Sequence, residues 1–147
     1  MKFIDQLKEK AKQNKKTIVL PETLDMRTIE AAGKVLAEGI ANIILVGDKE
    51  DIMSRAGDID LSGASFVDPK NYEKFDEYVD AFVEMRRKKG MTEARAKELL
   101  LTNPLYFGCM MVKQDDADGM VAGAINASAD VLRAALQTLK TAPGTRI

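Results

Sequence analysis

Hydrophobic and polar positions along the chain repeat with two different periods, and each period predicts a different kind of element. Apolar residues three or four positions apart, with charged residues between them, predict amphipathic helices. Such helices are expected over residues 1–14, between Asp25 and Gly39, and over 49–55, 71–89, 93–101 and 105–113, with a last one after residue 126. Three of them are expected to be capped by Asp25, Asp48 and Thr92, and two are expected to end at Gly39 and Gly90.

Short apolar runs that end at proline, glycine or aspartate predict buried strands. The runs lie at Thr17–Leu20, Asn42–Gly47, Ala64–Val67 and Gly119–Ala124, and the third is the weakest. A strand, a helix and a strand within about thirty residues predict a right-handed crossover between parallel strands. The chain is therefore expected to be an α/β domain with a mainly parallel sheet.

The last predicted helix decides where the domain ends. Asn126 or Ser128 is expected to cap its first turn. The positions expected to face the core are Val131, Leu132, Ala135, Leu136 and Leu139. Residues 141–147 contain a proline and a glycine and show no pattern of a strand or helix. We expect one domain over residues 1–142 and, over 143–147, the start of a linker to a second domain that this chain lacks.

Composition narrows the possible functions. The 147 residues include 22 Lys and Arg and 23 Asp and Glu, for a formal net charge of -1. This balance gives no global reason to bind nucleic acid or an acidic membrane surface. Because the sequence contains no histidine, the chain cannot form a Ser-His-Asp or Cys-His nucleophile, and no metal site is expected.

The single cysteine, Cys109, excludes an internal disulfide and fits a reducing compartment, so a cytoplasmic protein is expected. It lies in an apolar predicted helix, where a buried inert thiol is the expected state. The charged segment 1–16 does not have the pattern of a secretory signal. No run of about 18 apolar residues predicts a membrane helix.

The segment Asn126–Arg133, which follows the predicted strand Gly119–Ala124, is the first candidate for chemistry. Small polar residues such as Ser128 open a helix there, and backbone N–H groups at a helix start can bind an anion. In an open α/β sheet, ligands bind at the carboxyl ends of strands, and Arg133 can add a bidentate contact to phosphate. The alternative is an ordinary strand–loop–helix connection with a polar stripe facing water.

Four consecutive cations, Arg86, Arg87, Lys88 and Lys89, precede Gly90 at the end of a predicted helix. Each cation there stabilises the negative end of the helix dipole by about 0.3–1 kcal/mol, which is a complete structural explanation. The functional alternative is an anion-binding corner, in which only one or two of the side chains can face a single ligand.

The third candidate is Pro21–Arg27, which follows the first predicted strand and so lies at the binding edge of the sheet. Glu22, Asp25 and Arg27 place charge there. A capped loop with a solvent-exposed Glu22–Arg27 ion pair explains the same residues without a ligand.

At these three places the sequence resembles the phosphate acetyltransferases (phosphotransacetylases). The matching stretches keep their order along the chain: Thr17–Glu22, Asp25–Ala32, Gly39–Ala41, Ile43–Gly47, Arg86–Thr92, Asp118–Ala124, Asp130–Arg133 and Leu136–Pro143. The resemblance implies a three-layer α/β/α fold of the isocitrate and isopropylmalate dehydrogenase type, of which this chain is the first domain only. It places the active site in a cleft between that domain and a second one.

The resemblance implies that the full enzyme transfers acetyl between acetyl phosphate and coenzyme A. The candidate substrate- and phosphate-binding residues are Arg133, Arg86, Ser128, Asn126, Arg87 and Arg27. Many members carry histidine where this sequence has Asn126. The catalytic aspartate is expected in the missing half, so the chain alone is expected to be inactive. Coenzyme A is a substrate, no cofactor is implied, and the full enzyme is expected to be a homodimer.

Two alternatives stay open. A phosphate butyryltransferase shares the fold and the reaction type, although Pro21–Glu22, Asp25, Arg27 and Asp130–Arg133 favour the acetyl enzyme. The second alternative is a non-catalytic binding or interaction domain, because a complete active site is not expected within this chain.

Overall fold

A parallel sheet of four strands organises the computed structural model, which describes residues 2–146. The strands, in the spatial order β3-β2-β1-β4, are β1 (Thr17–Leu20), β2 (Asn42–Val46), β3 (Ser65–Val67) and β4 (Gly119–Met120). Val19 of β1 lies between Ile44 of β2 and Met120 of β4. Strand β1 is therefore interior, and its carboxyl end lies between those of β2 and β4.

Seven α-helices connect and cover the strands within residues 2–146. They are α1 (Phe3–Gln13), α2 (Met26–Glu38), α3 (Lys49–Ala56), α4 (Phe75–Arg86), α5 (Glu93–Thr102), α6 (Pro104–Lys113) and α7 (Ser128–Thr138). Asp25, Asp48 and Thr92 accept hydrogen bonds from N–H groups in the first turns of α2, α3 and α5. These predicted caps are confirmed, and so is Gly39, which ends α2 with a φ of 69°.

The sheet separates two apolar cores, because side chains along a strand point alternately to opposite faces. Val19 and Ile44 belong to the core formed with α4, α5, α6 and α7. Leu20 and Leu45 belong to the core formed with α2 and α3. Helices thus cover both faces of a parallel sheet, as its near-continuous apolar strands require. The predicted three-layer α/β/α class is confirmed.

Helix α6 lies directly against the sheet at Gly108. A Cβ atom added to that glycine would lie 2.8 Å from Sδ of Met120 in β4 and 3.4 Å from Cβ of Pro21. The absence of a side chain at this position therefore allows the helix to pack directly against the end of the sheet.

A polar network ties α4 to the turn after α6. The hydroxyl of Tyr78 donates a hydrogen bond to Asp116, whose carboxylate also accepts one from Nζ of Lys74 at 2.7 Å. Tyr72 and Phe107 pack against the Tyr78 ring, with ring centroids 5.3 and 5.5 Å away. Burial raises the pKa of the Tyr78 phenol, which therefore stays protonated and serves as a donor.

Strand β4 is shorter than the predicted Gly119–Ala124, because pairing with β1 covers only Gly119–Met120. The N–H of Val121 still donates to the carbonyl of Val19 at 3.2 Å. The following backbone then leaves the ladder, because its N–H groups bond to a side chain that comes from the end of β1.

Helix α4 is also shorter than the predicted range 71–89. It begins at Phe75, after turns over residues 71–74, and ends at Arg86, where one 3₁₀ turn, Arg87–Lys89, follows. Gly90 closes that turn with a φ of 86°, as predicted.

Helix α7 differs from its prediction in both its cap and its buried face. Its N-cap residue is Ala127, with no side-chain cap, because the side chain of Asn126 is bonded elsewhere. Leu132, expected in the core, is 58% exposed, whereas Ala134 and Thr138 are fully buried. The other four predicted core positions are half-buried. Small residues on α7 therefore make its closest contact with the core.

One residue at each end of the chain, each part of a predicted segment, lies outside the residues that the structure describes. Met1, at the start of the first predicted helix, and Ile147, at the end of the predicted linker, lie outside the described residues. Within residues 2–146, no helix has the length and apolarity needed to cross a bilayer.

Candidate functional site

The carboxyl end of β1 carries a buried glutamate. Glu22 is only 4% exposed, although it lies two residues beyond the strand. Its carboxylate accepts hydrogen bonds from the backbone N–H groups of four consecutive residues, Gly123, Ala124, Ile125 and Asn126. Nδ2 of Asn126 adds a fifth bond at 2.9 Å. We call Glu22 together with the loop 123–126 the Glu22 clamp.

The hydrogen bonds of the Glu22 clamp determine the charge state of its carboxyl group. Burial by itself raises the pKa of Glu22, but the bonds from Asn126, Ile125 and Ala124 outweigh it and lower the pKa from 4.5 to about 2. A carboxylate that accepts several N–H bonds is held in its charged form. The Glu22 carboxyl group is therefore negatively charged in the folded chain at neutral pH.

Thr23 makes the matching connection on the other side of β1. Its hydroxyl donates a hydrogen bond of 2.6 Å to the carbonyl of Val46, at the end of β2. Its own carbonyl accepts a bond of 2.7 Å from Nη1 of Arg55 in α3. Glu22 thus ties the end of β1 to the loop after β4, and Thr23 ties it to the end of β2 and to α3.

Arg27 also braces the loop 123–126. Its Nη2 donates to Oδ2 of Asp25 at 2.7 Å and to the carbonyl of Ala124 at 2.6 Å, while 71% of the side chain is exposed. The exposed Glu22–Arg27 ion pair considered from the sequence is wrong. Glu22 is buried among N–H groups instead, and Arg27 pairs with Asp25.

The backbone expected to bind an anion before α7 is largely occupied by the protein itself. The N–H groups of residues 123–126 already donate to Glu22, and so does the side chain of Asn126. Ser128 lies exposed in the first turn of α7. The amides of residues 123–126 therefore already have an acceptor, and Arg133 is the cationic side chain that this segment presents.

Three guanidinium groups from three helices lie within electrostatic reach of one tyrosine. Burial raises the pKa of the Tyr106 phenol in α6, while the positive charges of Arg133, Arg86 and Arg95 act against that rise. The Tyr106 hydroxyl donates to Oε1 of Gln137 at 2.8 Å. We call Arg86, Arg95 and Arg133 around Tyr106 the guanidinium cluster.

Arg86 and Arg87 have different surroundings. Arg86 is half-buried, and its Nε is a buried side-chain nitrogen without a hydrogen-bond partner among the residues that the structure describes. Arg87 is exposed and pairs with Glu84 at 3.0 Å. Arg133 is 58% exposed and pairs with Asp130 at 2.7 Å. Of the two neighbouring arginines, Arg86 is the one whose charge acts on the pKa of the same tyrosine as the charge of Arg133.

A reactive thiol and a metal site both find little support among residues 2–146. Cys109 is fully buried in α6, and burial raises the pKa of its thiol, which favours the unreactive form. No cluster of three or more metal-ligating side chains occurs within residues 2–146.

A groove of about 310 Å³ adjoins Glu22 and Arg27. A larger groove of about 610 Å³, lined by Lys15 and Asn42, lies at the opposite ends of the strands.

Sequence reasoning missed three residues that shape this site: Glu22 as a buried anion, Tyr106 and Arg95. Tyr106 lies in an apolar predicted helix, and Arg95 is an exposed residue of α5 with no motif around it. The only local signal for Glu22 is its place directly after a buried strand and Pro21.

The sequence matches a family of known proteins over nearly its whole length. The family model described as "Phosphate acetyl/butaryl transferase" matches residues 2–147. The chain belongs to this family. It is 51% identical over 147 residues to a phosphate acetyltransferase of Acetivibrio thermocellus, and 52% identical to one of Thermoanaerobacterium thermosaccharolyticum. In both cases the match covers 100% of this chain and 44% of the relative, so the chain spans less than half of their length.

Solved structures show the same fold at the same coverage. A phosphotransacetylase from Streptococcus pyogenes superposes with a TM-score of 0.89 at 36% identity, over 100% of this chain and 46% of that one. The EutD phosphotransacetylase from Staphylococcus aureus gives a TM-score of 0.87 at 38% identity, over 98% and 44%. The predicted family and the predicted first-domain fold are confirmed.

Proposed function

We propose that this chain forms the anion-binding lobe of a phosphate acetyltransferase, which exchanges an acetyl group between phosphate and coenzyme A. The observation that carries the proposal is the family match over residues 2–147, and the guanidinium cluster supports it, since the charges of Arg86 and Arg133 from different helices both act on the pKa of Tyr106. Arginine remains charged and matches the geometry of phosphate oxygens. Two guanidinium groups that act on one phenol therefore fit an acyl phosphate better than they fit a neutral ligand.

The proposed reaction is a direct acyl transfer. A base removes the thiol proton of coenzyme A, the sulfur attacks the acetyl carbonyl carbon, and the C–O bond to phosphate breaks. Negative charge develops on the carbonyl oxygen and on the departing phosphate, and Arg86 and Arg133 stabilise it at the phosphate. The base is expected to be an aspartate beyond these residues, so that the lobe binds one substrate and a second lobe completes the site.

The remaining features of the proposal follow from the same assignment. Coenzyme A is a substrate, and the acyl transfer needs no organic cofactor or metal. The acetyl reaction is favoured over the butyryl one because the relatives at 51% and 52% identity are named phosphate acetyltransferases. We also propose a homodimeric full enzyme and a cytoplasmic location, the latter because the one cysteine of the sequence fits a reducing compartment.

Binding of phosphate to this chain tests the proposal directly. The Nε–H signals of Arg86 and Arg133 are followed by NMR during titration with inorganic phosphate. Both signals are expected to shift, and Arg86→Ala and Arg133→Ala are each expected to raise the Kd about tenfold, the cost of one charged contact. Arg87→Ala is the matched control and is expected to change the Kd less than about twofold, because that side chain faces Glu84.

Turnover distinguishes the enzyme lobe from a stand-alone binding domain. The chain alone is expected to form no thioester from acetyl phosphate and coenzyme A. A chimera that joins residues 1–147 to the remaining part of the Acetivibrio thermocellus relative is expected to restore turnover. Arg133→Ala in the chimera is expected to lower kcat/KM by about 10²–10³. A chimera that is folded but inactive, or one indifferent to Arg133, contradicts the proposal.

A further inference from the structure

The loop 123–126 has the form of an anion-binding site that is already filled. Four consecutive backbone N–H groups converge on one point, a concave arrangement that commonly binds phosphate or carboxylate. Here that point is the carboxylate of Glu22, whose Oε2 also accepts a bond from Nδ2 of Asn126. A carboxylate offers about four lone-pair directions, so five donors leave it saturated.

The same loop is held from its other side by residues that also follow β1. Nη2 of Arg27 donates to the carbonyl of Ala124, and Asp25 in turn holds Arg27 while it caps α2. Residues 22–27 thus hold the N–H groups of the loop through Glu22 and one of its carbonyl groups through Arg27. Helix α7 begins at Ser128, two residues after the last clamped N–H, and carries Arg133 in its second turn.

We propose that Glu22 is a positioning residue, a built-in anion that fixes the loop 123–126 and thereby sets where α7 begins and where Arg133 points. This inference rests on the proposed function for the role of Arg133. It also assigns the amides of residues 123–126 to the protein itself, so that these four donors are not available to a substrate anion.

Substitutions separate the effect of charge from that of volume. Glu22→Gln keeps the size of the side chain, but its NH₂ group would face N–H donors, so the clamp is expected to open. Glu22→Ala leaves an empty space lined by five donors, which a small carboxylate can enter. A residue that acts only by packing would be restored by glutamine and would not respond to acetate.

The experiment measures the loop and Arg133 separately in the ¹⁵N-labelled chain. In the wild type, couplings across the hydrogen bonds from the amide nitrogens of residues 123–126 to Cδ of Glu22 are expected. Glu22→Gln and Glu22→Ala are expected to shift these four amide signals and to raise the phosphate Kd at Arg133 about tenfold, while the amides of β1 and β2 stay unchanged. Acetate is expected to restore the loop signals and the Kd in Glu22→Ala, to within about twofold, and not in Glu22→Gln.

A milder variant keeps the test decisive if both Glu22 variants unfold. Asn126→Ala removes only the side-chain bond to Glu22 and is expected to shift the amide signals of residues 123–126 less than the Glu22 variants do, and to raise the phosphate Kd about threefold. The proposal is overturned by a Glu22→Gln chain that binds phosphate as the wild type does, by missing couplings to Cδ of Glu22, or by an Asn126→Ala chain with an unchanged Kd. If phosphate leaves Arg86 and Arg133 unperturbed in the wild type, the proposed function fails. The couplings and the acetate response then still decide whether Glu22 fixes the loop.

Discussion

A charged side chain removed from water costs free energy unless hydrogen bonds replace its hydration. Glu22 meets this condition through bonds to four backbone N–H groups and to Asn126. The same bonds give one shared acceptor to four backbone donors that leave the strand ladder after β4, in a loop whose residues are mostly exposed. The loop amides therefore replace the hydration that the carboxylate loses on burial.

The clamp makes the stability of the chain depend on pH in a defined direction. Because the folded pKa of about 2 lies below the ordinary 4.5, the stabilisation by Glu22 is complete above about pH 4.5. It is lost as the pH falls from there through about 2. In urea unfolding, Glu22→Gln is expected to lower the free energy of unfolding by about 2–4 kcal/mol at pH 7. The difference from the wild type is expected to shrink below about pH 4.5.

The control for this experiment is an exposed glutamate. Glu9→Gln removes only a surface ion pair with Lys12 and is expected to change the free energy of unfolding by less than about 1 kcal/mol at any pH. A gap between the wild type and Glu22→Gln that stays constant down to pH 3 would mean that the clamp does not hold a carboxylate anion.

At the residue scale, the sequence could identify only groups whose chemistry is evident locally. Arg133 and Arg86 could be proposed as candidates from their cationic character and from the family resemblance. The role of Glu22 could not be predicted, because its partners lie about a hundred positions further along the chain and are backbone groups, which any residue carries. The role of Tyr106 was missed because an aromatic residue in an apolar helix is expected to be core.

At the scale of elements, the local sequence pattern predicted the bounds of an element wherever local interactions determine them. The bounds of β1, β2, α2 and α3, with their caps, were predicted to within about two residues, since caps and apolar periods act over a single turn or strand. Strand β4 was predicted too long, because Glu22 captures the amides that would have continued the ladder. The buried face of α7 was misjudged, because close packing selected Ala134 and Thr138 over larger Leu132.

The close approach of α6 to the sheet gives a prediction at this scale. Gly108→Ala is expected to lower the free energy of unfolding by about 1–3 kcal/mol, because the added Cβ would overlap Sδ of Met120 at 2.8 Å. This loss occurs despite the higher helix propensity of alanine. Chemical denaturation of the purified variant measures it.

Gly63→Ala is the matched control for that substitution. Its added Cβ would meet only Cδ2 of Leu36, at the ordinary distance of 3.4 Å, so the variant is expected to be unchanged or stabilised by about 0.4–1 kcal/mol. Equal stabilities of the two alanine variants would show that α6 can move away from the sheet without cost.

At the scale of the whole molecule, the described residues form a two-core body to which α1 contributes little. None of the described residues of α1 is buried, and Phe3 is 73% exposed. The helix is linked to α2 by an exposed ion pair between Lys8 and Glu38. The cores, by contrast, contain fully buried residues from every other helix, among them Leu100 of α5.

Removal of α1 should therefore be tolerated. Deletion of residues 2–13 is expected to lower the free energy of unfolding by less than about 1 kcal/mol, the value of an exposed ion pair. Leu100→Ala, which empties a core position, is expected to cost about 2–5 kcal/mol. Circular dichroism during urea titration compares the two, and a shortened chain that is less stable than Leu100→Ala would contradict this view of α1.

The Glu22 clamp also limits how this rim can be redesigned. Connections in α/β proteins usually accept insertions at modest cost, but here four successive amides must meet one carboxylate. A single residue inserted between Gly123 and Asn126 would leave one of those donors facing away from it. New specificity at this edge is therefore easier to introduce by exchanging side chains in the first turn of α7 than by lengthening the backbone that leads into it.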